Sequence, residues 1–138
     1  MRALGIDFGL KRVGLAVSDR TGTLVSPLKT LERTTRQALF DELTEIIHDE
    51  AIEAVVVGLP LALSGEDTLT TRQARNFAES LGRRIDAPVH LMDERLTSAQ
   101  AEEELNAAGL RGAKRKAALD SQAAVVILRS WLDSAAIS

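Results

Sequence analysis

Apolar and polar residues alternate over the first third of the chain. Residues 2–8 place Leu4, Ile6 and Phe8 on one side and Ala3, Gly5 and Asp7 on the other, a period of two that predicts a strand. Residues 12–18 repeat the pattern, with Val13, Leu15 and Val17 against Gly14, Ala16 and Ser18. A polar turn at 19–22 leads to a third run at 23–31, so three antiparallel strands in a meander are expected. The period then lengthens. Leu39, Phe40, Leu43, Ile46 and Ile47 make a helical stripe within 34–50. Ala54-Val55-Val56-Val57 is continuously apolar, as a strand covered on both faces would be. A second helix is predicted over 68–84, with Phe77 and Leu81 on one side and Arg72, Arg75, Asn76, Glu79 and Arg83 on the other. A short strand fits 88–92. Thr97 and Gln100 have the spacing of a capping box, which predicts a helix from there to near Gly109. A last helix is predicted from about 117 to 134. The order β-β-β-α-β-α-β-α-α predicts an α/β fold with a mixed sheet and helices on its faces.

Three carboxylates interrupt this pattern where chemistry would need them. Asp7 breaks an otherwise apolar strand just before Phe8-Gly9. Glu94 follows the strand Pro88-Val89-His90-Leu91 directly, and ligands of open α/β sheets sit beyond the carboxyl ends of strands. Asp120 heads the stripe Asp120, Ala124, Ile127, Trp131, which places it on the buried side of the last helix, in its first turn. A carboxylate there needs a partner, a metal or an opening. Each has a blander reading: an Asp ordering a turn, an Asp-Glu-Arg surface turn, an Asp on a helix dipole. Together, at the ends of elements around one sheet edge, they suit phosphodiester hydrolysis assisted by Mg²⁺ or Mn²⁺, hard cations that take oxygen ligands.

Basic residues lie beside each of these acids. Arg111, Lys114, Arg115 and Lys116 are flanked by Gly109 and Gly112 and precede Asp120, which suggests a mobile phosphate-gripping loop. Lys11 and Arg12 follow Asp7, and Arg95 follows Glu94, as further phosphate candidates. His48 and His90 lack metal-ligand spacing and read as structural.

Composition narrows the possibilities. The chain has 138 residues, 45% of them hydrophobic, with no repeats or linker, so a single domain over 1–138 is expected. Cysteine is absent, which excludes disulfides, zinc–thiolate sites and a cysteine nucleophile. No stretch approaches the ~18 apolar residues of a membrane span, and Asp7 comes too early for a signal peptide. A cytoplasmic protein without membrane contact is expected. Aromatic residues make up only 3% of the chain, too few for aromatic base stacking to be a main binding device. The net charge of −3 excludes indiscriminate coating of nucleic acid. It is unevenly spread, since residues 41–53 carry −6 while 111–116 carry +4 and 72–84 carry +3.

Four blocks, in order and spanning nearly the whole chain, resemble the YqgF family, also called RuvX. They are Gly5-Ile6-Asp7-Phe8-Gly9 with Lys11-Arg12-Val13-Gly14, Val57-Gly58-Leu59-Pro60-Leu61 with Ser64-Gly65, Asp93-Glu94-Arg95-Leu96-Thr97-Ser98, and Lys116 through Asp120-Ser121-Gln122-Ala123-Ala124. The resemblance implies an RNase H-like fold related to the RuvC resolvases: a five-stranded mixed sheet, three strands in an antiparallel meander plus two parallel, with helices on both faces. It implies a nuclease for pre-16S rRNA, acting with pre-ribosomal particles, with activity on branched DNA such as Holliday junctions as a further expectation. RNA is the main expected partner and structured DNA a second. Asp7, Glu94 and Asp120 are implied as both catalytic and metal-binding. One departure stands out. RNase H-like nucleases usually carry the second carboxylate at the end of the fourth strand, where this chain reads Gly58-Leu59-Pro60. Glu94 must then reach back from the fifth strand. The alternative is a non-catalytic RNA- or protein-binding module on the same fold. Asp7-Phe8-Gly9 with Gly14 also resembles the first phosphate loop of actin-like ATPases and sugar kinases, but that fold needs two such domains.

Overall fold

Residues 1–62, 64–94, 103–104, 106–107 and 112–137 are described by the structure, a computed structural model, with backbone alone for 112–118 and 135–137. The strands are β1 (Ala3–Phe8), β2 (Arg12–Ser18), β3 (Val25–Glu32), β4 (Ala54–Leu59) and β5 (Val89–Asp93), and the helices are α1 (Arg36–Asp49), α2 (Leu69–Gly82) and α3 (Gly112–Ile137). They form one five-stranded sheet in the order β3-β2-β1-β4-β5. β1 pairs antiparallel with β2, and β2 with β3. β1–β4 and β4–β5 are parallel. The expected meander plus two parallel strands is therefore the architecture found.

The two faces of the sheet carry different side chains. Leu4, Ile6, Phe8, Val13, Leu15, Val55 and Val57 point to one face, where Leu39, Phe40 and Leu43 of α1 and Phe77 and Leu81 of α2 cover them. The other face is built from small residues, Ala3, Ala16, Ala54 and Val56, under Ala124, Val125, Ile127 and Leu128 of α3. Ile127 and Leu128 are fully buried, each worth roughly 1.5–3 kcal/mol of removal from water. Small side chains let α3 settle close to the sheet, and a 2.7 Å contact between the Thr30 and Ser121 hydroxyls ties it to β3. Asp7 belongs to this second, α3-covered face.

Caps explain where the first two helices begin. The Thr35 hydroxyl accepts from the Ala38 N–H at 3.1 Å, and Thr68 with Thr71 forms a reciprocal capping box. The capping pair expected at Thr97 and Gln100 lies outside the described residues, though 103–104 and 106–107 are helical. Two expectations are corrected. The last helix starts at Gly112 rather than near 117, so Asp120 sits in its third turn and not its first. Lys114, Arg115 and Lys116 therefore lie on helical backbone rather than in a loop. The helical backbone begins N-terminal to the apolar spacing and runs through Ala113, Ala117 and Ala118.

Candidate active site

Register places the three carboxylates. Asp7 on β1 faces Gly14 on β2 across the antiparallel ladder. On its other side Ile6 pairs with Val57, so one step further Gly58 on β4 stands level with Asp7. Asp7 thus sits in a row flanked by two glycines. A Cβ at Gly14 would lie 2.0 Å from the backbone oxygen of Asp120, so only glycine admits the helix turn that carries Asp120. A Cβ at Gly58 would lie 2.6 Å from Oε2 of Glu94. The carboxyl of Glu94 therefore occupies the space that a side chain on β4 would fill. This resolves the displaced carboxylate: a glycine at 58 and a glutamate at 94 put the acid beside Asp7 from the neighbouring strand. The Glu94 N–H donates to the Leu59 carbonyl at 3.1 Å, which fixes the chain as it leaves β5.

The charges interact strongly. Glu94 and Asp7 are hydrogen-bonded side chain to side chain. Burial, then the Asp7 charge, pushes the Glu94 carboxyl up to about 9. Burial also pushes Asp7 up, to about 6, against the lowering effect of the Glu94 hydrogen bond, and the negative charge of Asp120 adds to the rise. Near neutral pH the pair consequently holds a proton, with Glu94 donating to the Asp7 carboxylate. Asp120 is compensated differently. The Arg12 guanidinium donates to its Oδ2 at 2.9 Å, and that hydrogen bond, then the Asp120 charge, holds Arg12 above its ordinary value. The tight turn after β1, closed by the Gly9 N–H on the Arg12 carbonyl at 3.0 Å, delivers Arg12 to that position.

Among the described residues no three Asp, Glu, His or Cys side chains are placed so as to hold one metal ion between them; Asp7 and Glu94 share a proton, and Asp120 is bound to Arg12. The donors themselves fit a hard divalent cation, being half-buried carboxyl oxygens at the carboxyl ends of β1 and β5 and on α3. Lys11 is exposed beside the turn. Arg95 and Arg111 lie outside the described residues, as do the side chains of Lys114, Arg115 and Lys116. Of the basic face read on the second helix, Arg75 is paired with Asp67 at 3.1 Å, and Arg83 caps the helix and donates to the Ser80 hydroxyl. His90 packs on Trp131 with ring centroids 4.9 Å apart, and His48 is exposed beside Asp49. Sequence reasoning did not anticipate Gly14 and Gly58 as the residues that position the acids. Their signal was present as glycines inside strand patterns.

The fold is that of RNase H-like resolvases. The chain is similar to Thermus thermophilus RuvC, with a TM-score of 0.60 at 18% identity over 99% of this chain and 96% of that one. It is also similar to the fowlpox virus resolvase in its Holliday-junction complex, with a TM-score of 0.61 at 10% identity over 98% and 99%. The family model described as "RuvX: Holliday junction resolvase" matches residues 1–134. The chain belongs to the RuvX family, a group of nucleases. A relative from Maridesulfovibrio salexigens is 61% identical over 96% of this chain and 98% of its own length, and one from Nitratidesulfovibrio vulgaris is 52% identical over 96% and 94%. Both carry the name "Putative pre-16S rRNA nuclease".

Proposed function

We propose that the chain is a Mg²⁺- or Mn²⁺-dependent nuclease that hydrolyses phosphodiester bonds of precursor 16S rRNA in the cytoplasm, with Asp7, Glu94 and Asp120 as its catalytic, metal-holding residues. The observation that supports it most is the row of carboxylates built over Gly14, Asp7 and Gly58. Acids packed together at one end of a sheet, half out of water, are costly to a fold unless something offsets them. In the free protein a shared proton and Arg12 do so. A divalent cation held there supplies charge against the phosphate oxygens and makes water a better nucleophile near neutral pH.

The chain's own groups then have distinct tasks. Asp7, central in the row, is the acid that both neighbours can share. Glu94 would have to give up its proton to hold a cation, which would make binding pH-dependent. Arg12 exchanges its bond with Asp120 for a phosphate oxygen of the substrate, keeping a positive charge beside the leaving strand. Lys11, Arg95, Arg111, Lys114, Arg115 and Lys116 contribute phosphate contacts around the site. The names of the relatives and of the resolvase neighbours support RNA as the main substrate and a four-way DNA junction as a second. Among the described residues no helix is long and apolar enough to cross a membrane.

The test is cleavage of a precursor 16S rRNA fragment and of a four-way junction, with and without Mg²⁺ or Mn²⁺. Metal-dependent cleavage that disappears in Asp7→Asn is expected. Full activity in a pure Asp7→Asn sample would overturn the mechanism. RNA binding without cleavage of either substrate would establish the non-catalytic module instead.

A further inference from the structure

On the opposite face of the sheet from the carboxylates, the end of β1 opens into a cavity of about 540 Å³ between the β1–β2 turn, the start of α1 and α2. Its volume is in the range of small-ligand sites, roughly 300–1,000 Å³. Phe8, Leu10, Arg33, Arg36, Gln73 and Asn76 are among its walls, and no carboxylate is found among the described residues that line it. Asp7 and Phe8 are consecutive on β1, so the cavity and the acidic row share one strand end.

The cavity contains a prebuilt stack. Phe40 and Phe77 rings lie 5.6 Å apart, Phe77 and Phe8 rings 4.3 Å apart, and the Arg33 guanidinium covers Phe8 at 4.4 Å from its centroid. Arg33 is held flat there by donating to the Gly9 carbonyl at 2.9 Å and the Leu10 carbonyl at 3.0 Å. Among the described residues it has no acidic partner, and the residue is exposed. A planar, ordered cation of this kind is a stacking surface for an unpaired nucleobase. The scarcity of aromatic residues is thereby answered, because the arginine extends an aromatic column that is itself buried. Arg36 donates to the Ser80 hydroxyl at 2.6 Å and likewise has no carboxylate partner among the described residues. The side-chain amides of Gln73 and Asn76 are exposed and make no contact with a protein partner among the described residues.

We infer that this cavity receives one unpaired nucleotide of the substrate strand, its base stacked on Arg33, its phosphate on Arg36 and its base edge read by Gln73 and Asn76. The inference rests on the nuclease reading for the word "substrate", but its test does not require cleavage. Single-stranded oligoribonucleotides carrying 2-aminopurine at successive positions are titrated with the full chain in EDTA, and fluorescence quenching reports stacking. Quenching at one position is expected, with binding weakened roughly tenfold in Arg33→Lys, which keeps the charge and loses the plane. The exposed variant Asn76→Asp is expected to weaken binding as well. Unchanged quenching and affinity in Arg33→Lys, or no quenched position in the wild-type chain, would overturn the assignment. Equally tight binding of 2-aminopurine riboside monophosphate would overturn it in favour of a free-nucleotide site. A chain that binds and quenches yet cleaves nothing with Mg²⁺ would refute the nuclease reading while leaving the cavity as a nucleotide site.

Discussion

Replacing Glu94 by Gln separates the cost of the acidic row from its use. Glu94 ionises near 4.5 in an unfolded chain and is pushed up to about 9 in the fold. Between those values the folded protein keeps a proton that the unfolded chain has released. A carboxyl raised in this way contributes fully below the unfolded value, and its contribution is lost as pH rises toward the folded one. By pH 7, about 2.5 pH units above the unfolded value, the loss from Glu94 amounts to ~3–4 kcal/mol at about 1.4 kcal/mol per pH unit. For a chain of this size that corresponds to roughly 10–14 °C in Tm. Gln keeps the shape and a donor for Asp7 but cannot ionise. Thermal melts in EDTA between about pH 5 and pH 8 should show the wild-type chain losing Tm with rising pH. Glu94→Gln should lose less than half as much and be the more stable protein at the upper end. Mg²⁺ should raise the wild-type Tm and leave the variant nearly unmoved. Parallel curves for the two proteins would refute the shared-proton account of the site.

Three further outcomes follow from the same geometry. Asp7→Asn should fold and melt at or above the wild-type temperature at pH 8 while cleavage falls about 10³-fold or more, since several kcal/mol of charge stabilisation is removed; retained cleavage on a gel would contradict this. Gly14→Ala should cost about 3 kcal/mol or more in urea unfolding, because its Cβ meets the backbone of Asp120. Gly58→Ala should cost less, because its Cβ meets the movable side chains of Glu94 and Ile127, and should act instead by displacing the Glu94 carboxyl and weakening Mn²⁺ binding. Arg12→Ala removes a solvent-screened ion pair and should leave stability nearly unchanged. Calorimetry should show it binding Mn²⁺ more tightly, with a raised KM for RNA.

Much of this molecule was legible in its residue pattern. The alternation in 2–8 and 12–18 defined which residues share a face, and those faces are the ones found: Leu4, Ile6 and Phe8 under α1 and α2, Asp7 under α3. Period, length and turn residues dictate such features locally, so no tertiary information was needed. The four motif blocks also marked Asp7, Glu94 and Asp120. The start of the last helix was not legible, because apolar spacing weakens over Lys114-Arg115-Lys116 while the helical backbone continues through them.

The sequence by itself determined the strands and most of the helices in their order along the chain, and it singled out Asp7, Glu94 and Asp120 as candidate acids. Only the tertiary structure decided how the acids meet. Residues 7, 94 and 120 come together because a ladder pairs Asp7 with Gly14, a parallel register brings Gly58 level, and two missing side chains leave room for Glu94 and for the backbone of α3. The same packing decided that Arg12 binds Asp120 and that Asp7 and Glu94 share a proton. Pairing and burial are relations between distant segments, and a linear pattern names the partners without stating which of them will touch.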